Sequence, residues 1–375
     1  MNYLPYSTQK IDQDDIEAVV NALKSDILTG GEKVVEFEKA LCDYTGAKFA
    51  IVMNSATSAL HAAYKALGIE SGDEVITTPI TFAATANAAL MCGGEVKFAE
   101  VLDNGNINPA SIENLITPKT KVITPVDLGG FPVDMEEIQK IADKHNLKII
   151  DDASHALGSS INGKKVGNLA DVSIFSFHPV KPITSLEGGA VLTNDETIAQ
   201  KARLFRSHGS VAKTAWNYDI TMLGWNYRLS DVGCALAINQ LKKLDNFIDI
   251  RNEIANFYES KFDKNPYFST IKIPQNIRSG RHLYMIKLFG DLWCNKEDIF
   301  NELKSRNIGV QVHYIPTYKF SLYRQKYGQM SIESAENFYK SELSIPCHQK
   351  MSLDDAKFVA DTLFEVLEKH KSCKF

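Results

Sequence analysis

The chain has 375 residues, 44% of them hydrophobic and 23% charged, which is ordinary for a folded protein long enough for one large and one smaller domain. Its net charge of −5 comes from 41 basic and 46 acidic residues, so no basic excess points to a nucleic-acid partner. The six cysteines form no CxxC pair and predict reduced thiols, with neither a disulfide framework nor a metal site. They are Cys42, Cys92, Cys234, Cys294, Cys347 and Cys373.

The sequence also argues against export and membrane insertion. The first residues lack the basic and then apolar layout of a signal peptide. One uncharged run, Val75 to Gly94, approaches the length of a membrane-spanning helix, but its Thr, Pro and Asn side chains are costly in hydrocarbon. We therefore expect a buried strand, a turn and the start of a helix there, in a cytoplasmic protein with no membrane partner.

Short apolar runs alternate with helical patterns from Lys48 to Thr193. The helical pattern is clearest in IQKIADKH (Ile138 to His145), which is amphipathic. This alternation predicts right-handed crossovers and an α/β fold with a mainly parallel central sheet flanked by helices. The predicted strands are FAIVM (Phe49 to Met53), EVITT, VKFAEV, KVITPV, LKIIDD (Leu147 to Asp152), VSIFSF (Val172 to Phe177) and GAVLT (Gly189 to Thr193).

The pattern changes after Leu229. A long helix is predicted from about Asp231 to Phe262, followed by an isolated strand, HLYMIKLF (His282 to Phe289), and further helices. Without a Pro- or Gly-rich linker between the two patterns, we expect a large domain over residues 1–240 and a small C-terminal α+β domain over residues 241–375.

Two of the predicted strands end in residues that suit a ligand site, because ligands of open α/β sheets bind outside the carboxyl ends of the strands. NSATSAL (Asn54 to Leu60) leads into a helix whose first amides can bind phosphate, although Asn54 or Ser55 can equally be an ordinary N-cap. In IIDDASH, an aspartate at the strand end can bond a protonated ring nitrogen, or act as a helix cap or metal ligand. Each of these patterns leaves its alternatives open.

A third strand end carries a lysine in an unusual setting. Lys181 lies between two prolines in FSFHPVKPITSLEGGA, and Glu187 is the only other charged residue from Ser176 to Glu187. A lone lysine is normally a solvated surface charge. Partial burial would instead lower its pKa and favour the neutral amine that forms a Schiff base, with the Ser176 hydroxyl in the same pocket. Together the three strand ends provide what pyridoxal 5'-phosphate requires: a phosphate cradle, a partner for the ring nitrogen and an imine-forming amine.

The lysine segment SFHPVK…EGG, with IIDDASHALG about thirty residues before it, resembles the DegT/DnrJ/EryC1/StrS family of sugar aminotransferases. The resemblance extends from Pro5 to about His370. It implies a fold-type-I pyridoxal-phosphate enzyme that works as a homodimer. By matching position, Lys181 is the catalytic lysine that bonds the cofactor, Asp152 the partner of the pyridine nitrogen, and His155 a neighbour of the 3-hydroxyl.

The same resemblance implies the remaining cofactor contacts. Ser176 and the backbone of Ala56 and Thr57 would hold the phosphate. Phe82 matches the aromatic residue that stacks on the cofactor ring, although plain core packing would also explain it. GWNYRLSD (224–231) matches the segment that reaches into the partner's site, where Asn226 would contact phosphate. Without the resemblance, this segment is only a turn with a helix cap.

The resemblance further implies the reaction. It predicts transfer of an amino group from L-glutamate, which leaves as 2-oxoglutarate, to C4 of a UDP-linked 4-keto-6-deoxy-N-acetylhexosamine of the pseudaminic acid route. The alternatives are another nucleotide 4-keto sugar, of the bacillosamine or aminoarabinose type, or a non-catalytic cofactor-binding regulator. A sugar dehydratase of this fold would have His in place of Lys181. The implied substrate-binding residues are Tyr6, Asp26, Ile27, Leu28, Thr29, Ala56, Ser176, Asn226, His313, Tyr314, Ile315 and Pro316.

Overall fold

The computed structural model describes residues 3–371. Its helices are α1 Gln13–Leu23, α2 Glu32–Thr45, α3 Ala56–Ala66, α4 Ala84–Met91, α5 Pro109–Ile112, α6 Met135–His145, α7 Glu196–Arg206, α8 Asp231–Lys261, α9 Lys296–Ser305, α10 Ser321–Tyr327, α11 Glu333–Ser341 and α12 Leu353–Lys369. Its strands are β1 Phe49–Met53, β2 Glu74–Thr77, β3 Glu95–Phe98, β4 Thr120–Thr124, β5 Lys148–Asp152, β6 Ser160–Ile161, β7 Lys164–Lys165, β8 Val172–Ser176, β9 Gly189–Thr193, β10 Ser210–Ala212, β11 Tyr218–Ile220, β12 Phe268–Thr270, β13 Ile277–Arg278, β14 Tyr284–Leu288 and β15 Glu342–Ile345.

A seven-stranded sheet in the order β1-β9-β8-β5-β4-β2-β3 forms the centre of the molecule. Every strand but β9 runs in the same direction, because β9 is antiparallel to both β1 and β8. Residues 177–188 between β8 and β9 contain no helix, so the chain returns beside β8 as a hairpin and does not cross over. The predicted α/β fold with a mainly parallel sheet is confirmed, and the hairpin places the Lys181 segment at the carboxyl edge of the sheet.

Both faces of the sheet are buried under helices, which explains the nearly continuous apolar strands. In β1, Ile51 and Met53 pack into one core with α3 and α7. The alternate residues Ala50 and Val52 pack into a second core with α2 and α8. The side chains of successive strand residues point to opposite faces, so one short strand serves two cores.

A smaller antiparallel sheet, β12-β14-β15, packs with the later part of α8 and with α9 and α12 around a separate core. The amino-terminal segment joins this part of the molecule through a bridge between Leu4 and Ile308. Helix α8 continues without interruption through residue 240. The division into domains 1–240 and 241–375 stays a prediction.

Two expectations from the sequence have different outcomes. The uncharged run forms β2, a turn and α4, as predicted, and none of the helices between residues 3 and 371 is long and apolar enough to cross a membrane. Cys42, Cys92, Cys234 and Cys347 are free. Cys294 is disulfide-bonded, so the prediction of reduced thiols is wrong for this residue. Cys373 lies outside the described residues.

Candidate active site

A cavity of about 600 Å³ opens at the carboxyl edge of the central sheet. The ends of β5 and β8, the start of α3 and the lysine segment form its floor, while the amino-terminal segment and residues 311–320 form its walls. Most of the predicted site residues line this one cavity. They are Tyr6, Ala56, Thr57, Phe82, Asp152, His155, Ser176, Lys181, His313, Tyr314 and Ile315.

Lys181 lies inside this cavity. Its backbone N–H donates to His178 O at 2.9 Å, and the Ser7 hydroxyl donates to Val180 O at 2.8 Å, which ties the amino-terminal segment to the lysine segment. Burial lowers the pKa of Lys181 to about 7, and the nearby Asp152 charge opposes part of that change. A substantial fraction of the amine is therefore neutral and nucleophilic at neutral pH.

Asp152 is held in one orientation at the end of β5. The Thr85 hydroxyl donates to Oδ2 at 2.7 Å, and the Ser154 hydroxyl donates to Oδ1 at 2.5 Å. Thr81 bonds Thr85 in turn at 2.8 Å. The side chain is 4% exposed, so these bonds fix a carboxylate at the floor of the cavity. Such a group can accept a hydrogen bond from a protonated ring nitrogen.

His155 has a defined tautomer. The Gly129 N–H donates to Nδ1 at 3.1 Å, so the ring proton is on Nε2, which lies 3.2 Å from the Tyr314 hydroxyl. Burial holds the pKa of His155 well below its usual range, so the ring is neutral. His155 therefore presents an N–H donor to the cavity.

The start of α3 is shaped for an anion. Ser55 is the N-cap, and its hydroxyl accepts from the Ser58 N–H at 3.1 Å. The amides of Ala56 and Thr57 lie in the first helical turn, where backbone N–H groups have no intrahelical acceptor. A Cβ on Gly189 would lie 2.4 Å from Ala56 N, so only glycine lets β9 approach this turn so closely. The N-cap and the free amides of the first turn are therefore two properties of one turn.

Aromatic side chains form the walls of the cavity. Phe82 is 65% exposed, which excludes the core-packing alternative, and its ring centroid lies 6.5 Å from that of Tyr314. The ring centroid of Tyr6 lies 5.3 Å from that of His313, so the amino-terminal segment and a later segment of the chain meet here. Pro316 is buried just outside the lining, where the Thr317 N–H donates to Pro79 O at 2.9 Å and anchors the segment.

The other predicted site residues lie elsewhere on the chain. Asp26, Ile27, Leu28, Thr29 and Asn226 are exposed and do not line the cavity. A backbone bridge between Thr29 and Ser230 joins these two segments to each other. Ser230, and not Asn226, is the N-cap of α8.

The chain matches the model of the DegT/DnrJ/EryC1/StrS aminotransferase family over residues 9–364. It belongs to this family. The aminotransferase is 58% identical to the UDP-4-amino-4,6-dideoxy-N-acetyl-beta-L-altrosamine transaminase of Campylobacter jejuni (strain 81-176), over 98% of both chains. It is 41% identical to the enzyme of the same name from Helicobacter pylori, over 99% of this chain and 100% of the relative.

Solved structures agree with this assignment. The aminotransferase superposes on Helicobacter pylori PseC, described as an aminotransferase involved in the biosynthesis of pseudoaminic acid, with a TM-score of 0.95 and 41% identity over 98% of this chain and 100% of that one. The PLP-form of Spr1654, a putative sugar aminotransferase from Streptococcus pneumoniae, gives a TM-score of 0.94 at 28% identity over 98% and 99% of the two chains. The family resemblance seen in the sequence is confirmed.

Sequence reasoning missed several residues that line the aminotransferase's cavity, and His282 is among them. His282 is buried, and its Nε2 lies 3.4 Å from Lys181 Nζ. Its ring centroid is 4.4 Å from that of His155. The available signal was weak, since His282 merely opens a predicted apolar strand, and its contacts come from residues more than a hundred positions away.

Proposed function

We propose that this aminotransferase binds pyridoxal 5'-phosphate through Lys181 and moves the amino group of L-glutamate to C4 of a UDP-linked 4-keto-6-deoxy-N-acetylhexosamine. The observation that carries the proposal is the Lys181 amine, whose pKa is lowered to about 7 by burial in a cavity shared with Asp152 and His155. The identity of 58% with the Campylobacter jejuni transaminase supports the choice of sugar.

The residues present fit this cofactor. Lys181 would bond its aldehyde carbon, Asp152 would accept from its ring nitrogen, and the Nε2–H of His155 would face its 3-hydroxyl. The first amides of α3 and the Ser176 hydroxyl would hold the phosphate, with Phe82 against the ring. The bound cofactor supplies an electron sink for the carbanion left when a proton is removed from the amino-acid Cα.

The chain's own part in the reaction is to bind, orient and move protons. Lys181 Nζ is the base that takes the Cα proton of L-glutamate, and it later returns a proton to C4 of the sugar. Its lowered pKa suits both roles, because the amine can hold or release a proton near neutral pH. The hydrogen bonds from Thr85 and Ser154 keep Asp152 aligned throughout.

Recognition of the sugar is assigned to the walls of the cavity. Tyr6 comes from the amino-terminal segment and His313 to Ile315 from the later part of the chain. Binding energy from the remote nucleotide can hold C4 over the cofactor. The competing substrate is the C5 isomer of the keto sugar, which differs in the position of one methyl group. A pocket distinguishes two substrates that differ in one methyl group by about 1–3 kcal/mol.

The active species is proposed to be a cytoplasmic homodimer. The β10–β11 hairpin and the residues after it carry apolar side chains in solvent, with Trp216 84% exposed and Leu223 73% exposed. Apolar groups clustered in this way are typical of an interface. Asn226 follows directly, and in a symmetric pair it would reach the phosphate site of the partner.

The test uses Lys181→Ala and, as a control, the exposed Lys164→Ala. The purified wild-type and control proteins should show the visible absorbance of lysine-bound cofactor and convert both C5 isomers of the keto sugar with L-glutamate. Their kcat/KM should be higher for the proposed substrate, the L-arabino isomer, than for its competitor, the D-xylo isomer. Lys181→Ala should lose this absorbance and all turnover while keeping its circular dichroism spectrum.

Full turnover by Lys181→Ala would overturn the role of the lysine. A preference for the D-xylo isomer would indicate a substrate of the bacillosamine type instead. Absence of turnover with any keto sugar, despite bound cofactor, would favour a regulator.

A further inference from the structure

A chain of buried hydrogen bonds runs from the cavity wall into the smaller sheet. His313 Nδ1 lies 2.8 Å from Ser344 Oγ, and the Ser344 hydroxyl donates to Glu342 Oε1 at 2.6 Å. Glu342 Oε2 accepts the backbone N–H of His313 at 2.7 Å, which closes a ring of contacts. All three side chains are less than 5% exposed. Two backbone hydrogen bonds between Gln311 and Ser344 hold the two segments in register.

The protons in this chain can be assigned. A serine hydroxyl has one proton, and Ser344 gives it to Glu342, so Ser344 Oγ must accept from the Nδ1–H of His313. Burial lowers the pKa of His313 to about 3, so the ring is neutral and carries no second proton. Nε2 therefore keeps its lone pair. Because His313 lines the cavity and its Nδ1 is turned toward Ser344, we expect Nε2 to be the ring nitrogen that faces the cavity.

The charge of Glu342 decides which groups donate and which accept along this series of hydrogen bonds. Burial raises the pKa of this carboxyl to about 7, and the ammonium of the half-buried Lys296 opposes part of that rise, so the carboxylate form predominates above pH 7. Lys296 is itself fixed, since its Nζ donates to Tyr339 O at 2.5 Å. A protonated Glu342 would donate to Ser344, which would then donate to His313 Nδ1 and move the ring proton to Nε2. The carboxylate form thus keeps Nε2 an acceptor.

We infer that Ser344 and Glu342 are positioning residues that fix His313 as a hydrogen-bond acceptor for a hydroxyl or amide N–H of the sugar. The inference rests on the proposed function. The carboxylates of L-glutamate and the phosphates of cofactor and nucleotide offer only acceptors, so a bare nitrogen cannot bond them. The amino sugar carries both hydroxyl and amide donors. The Lys181 amine, which could also donate to Nε2, is occupied by the cofactor in the resting enzyme.

The test separates the two half-reactions in the holoenzyme. Ser344→Ala removes the contact that fixes the tautomer, and Ser341→Ala is the matched control, because this neighbouring buried serine bonds only carbonyls of α11. In Ser344→Ala, kcat/KM of the aminated cofactor form for the UDP-keto sugar should fall about tenfold, the loss expected for one hydrogen bond in the complex. The reaction of the resting form with L-glutamate should change by less than about twofold. Ser344→Cys should recover part of the loss.

A second readout does not depend on turnover. Long-range ¹H–¹⁵N spectra of the holoenzyme labelled in its nine histidines should show His313 protonated at Nδ1, with its signals identified by their loss in His313→Gln. In Ser344→Ala and Glu342→Gln, signals of the Nε2–H form should appear. An equal fall in both half-reactions, or an unchanged sugar reaction with an unchanged tautomer, would overturn the inference. Lack of both half-reactions in the wild type would instead refute the proposed function, and the spectra would still decide the tautomer.

Discussion

At the scale of single residues, burial keeps a substantial fraction of the Lys181 amine uncharged at neutral pH. Lys181 is surrounded by His155, His282 and His313, whose pKa values burial lowers, so all three rings are neutral. Neutral rings can accept or donate one hydrogen bond without adding charge to the cavity. His282 Nε2 lies 3.4 Å from Lys181 Nζ, so it can hydrogen-bond the free amine when the cofactor is not bonded to the lysine.

The lowered pKa of Lys181 predicts how the apoenzyme takes up its cofactor. Because burial disfavours the ammonium form, the amine is mainly neutral above pH 7 and mainly protonated below it. The rate of lysine–cofactor bond formation in the apoenzyme should therefore rise between about pH 6 and 8 and then level off. Stopped-flow absorbance measures this rate. Free n-butylamine, as a reference, should react faster with each further rise in pH, and the same behaviour in the apoenzyme would contradict a lowered pKa.

At the scale of elements, strand β9 couples the lysine segment to the phosphate cradle. It returns antiparallel to β8, and its first residue, Gly189, lies against the start of α3. A Cβ there would be 2.4 Å from Ala56 N and 2.6 Å from Ala56 Cα. The glycine thus allows one hairpin to bring Lys181 and the first amides of α3 into the same cavity.

Gly189→Ala should therefore damage the cradle. The added methyl group must displace backbone, so we expect a loss of about 1–3 kcal/mol in the free energy of unfolding and weaker cofactor binding. Thermal melting of the apoenzyme and a titration with pyridoxal 5'-phosphate measure the two effects. Gly290→Ala is the control, because a Cβ at Gly290 meets no atom within 4 Å. If Gly189→Ala binds the cofactor as tightly as this control, the close approach is unimportant for the cradle.

The sequence predicted these elements well where the signal was local. Phe49–Met53 and Gly189–Thr193 form strands with the predicted bounds, because short apolar runs between polar turns leave few alternatives. The reversed direction of β9 did not follow from its composition, since it depends on the absence of a helix in the preceding loop. In the cavity, the position of Lys181 was predicted from its neighbours in the chain. The partnership of Ser344 with His313 was not, because it is a tertiary contact between two segments whose local patterns carry no sign of it.

At the scale of the whole molecule, a single copy of the chain does not bring all of the predicted site residues together. Asp26 to Thr29 and Asn226 share a surface away from Lys181, linked by the bridge between Thr29 and Ser230. The exposed apolar hairpin precedes Asn226 directly. A two-fold axis beside this surface would bury the hairpin and bring both segments to the partner's cavity. Such a shared site can be distinguished by experiment from a site formed within one chain.

If Asn226 serves the partner's cavity, two inactive variants should restore activity when mixed. Lys181→Ala lacks the amine, and Asn226→Asp places a carboxylate beside the phosphate, which repels it. A mixed dimer has one cavity with both defects and one with neither, because the intact Lys181 then faces the intact Asn226. After subunit exchange of equal amounts, about a quarter of the wild-type activity should appear.

The control mixes Lys181→Ala with the double variant, which forms no intact cavity in any pairing. Sedimentation should confirm that the exchanged species is a dimer. Activity no higher than this control, with exchange demonstrated by differently tagged subunits, would show that Asn226 acts within its own protomer or not at all.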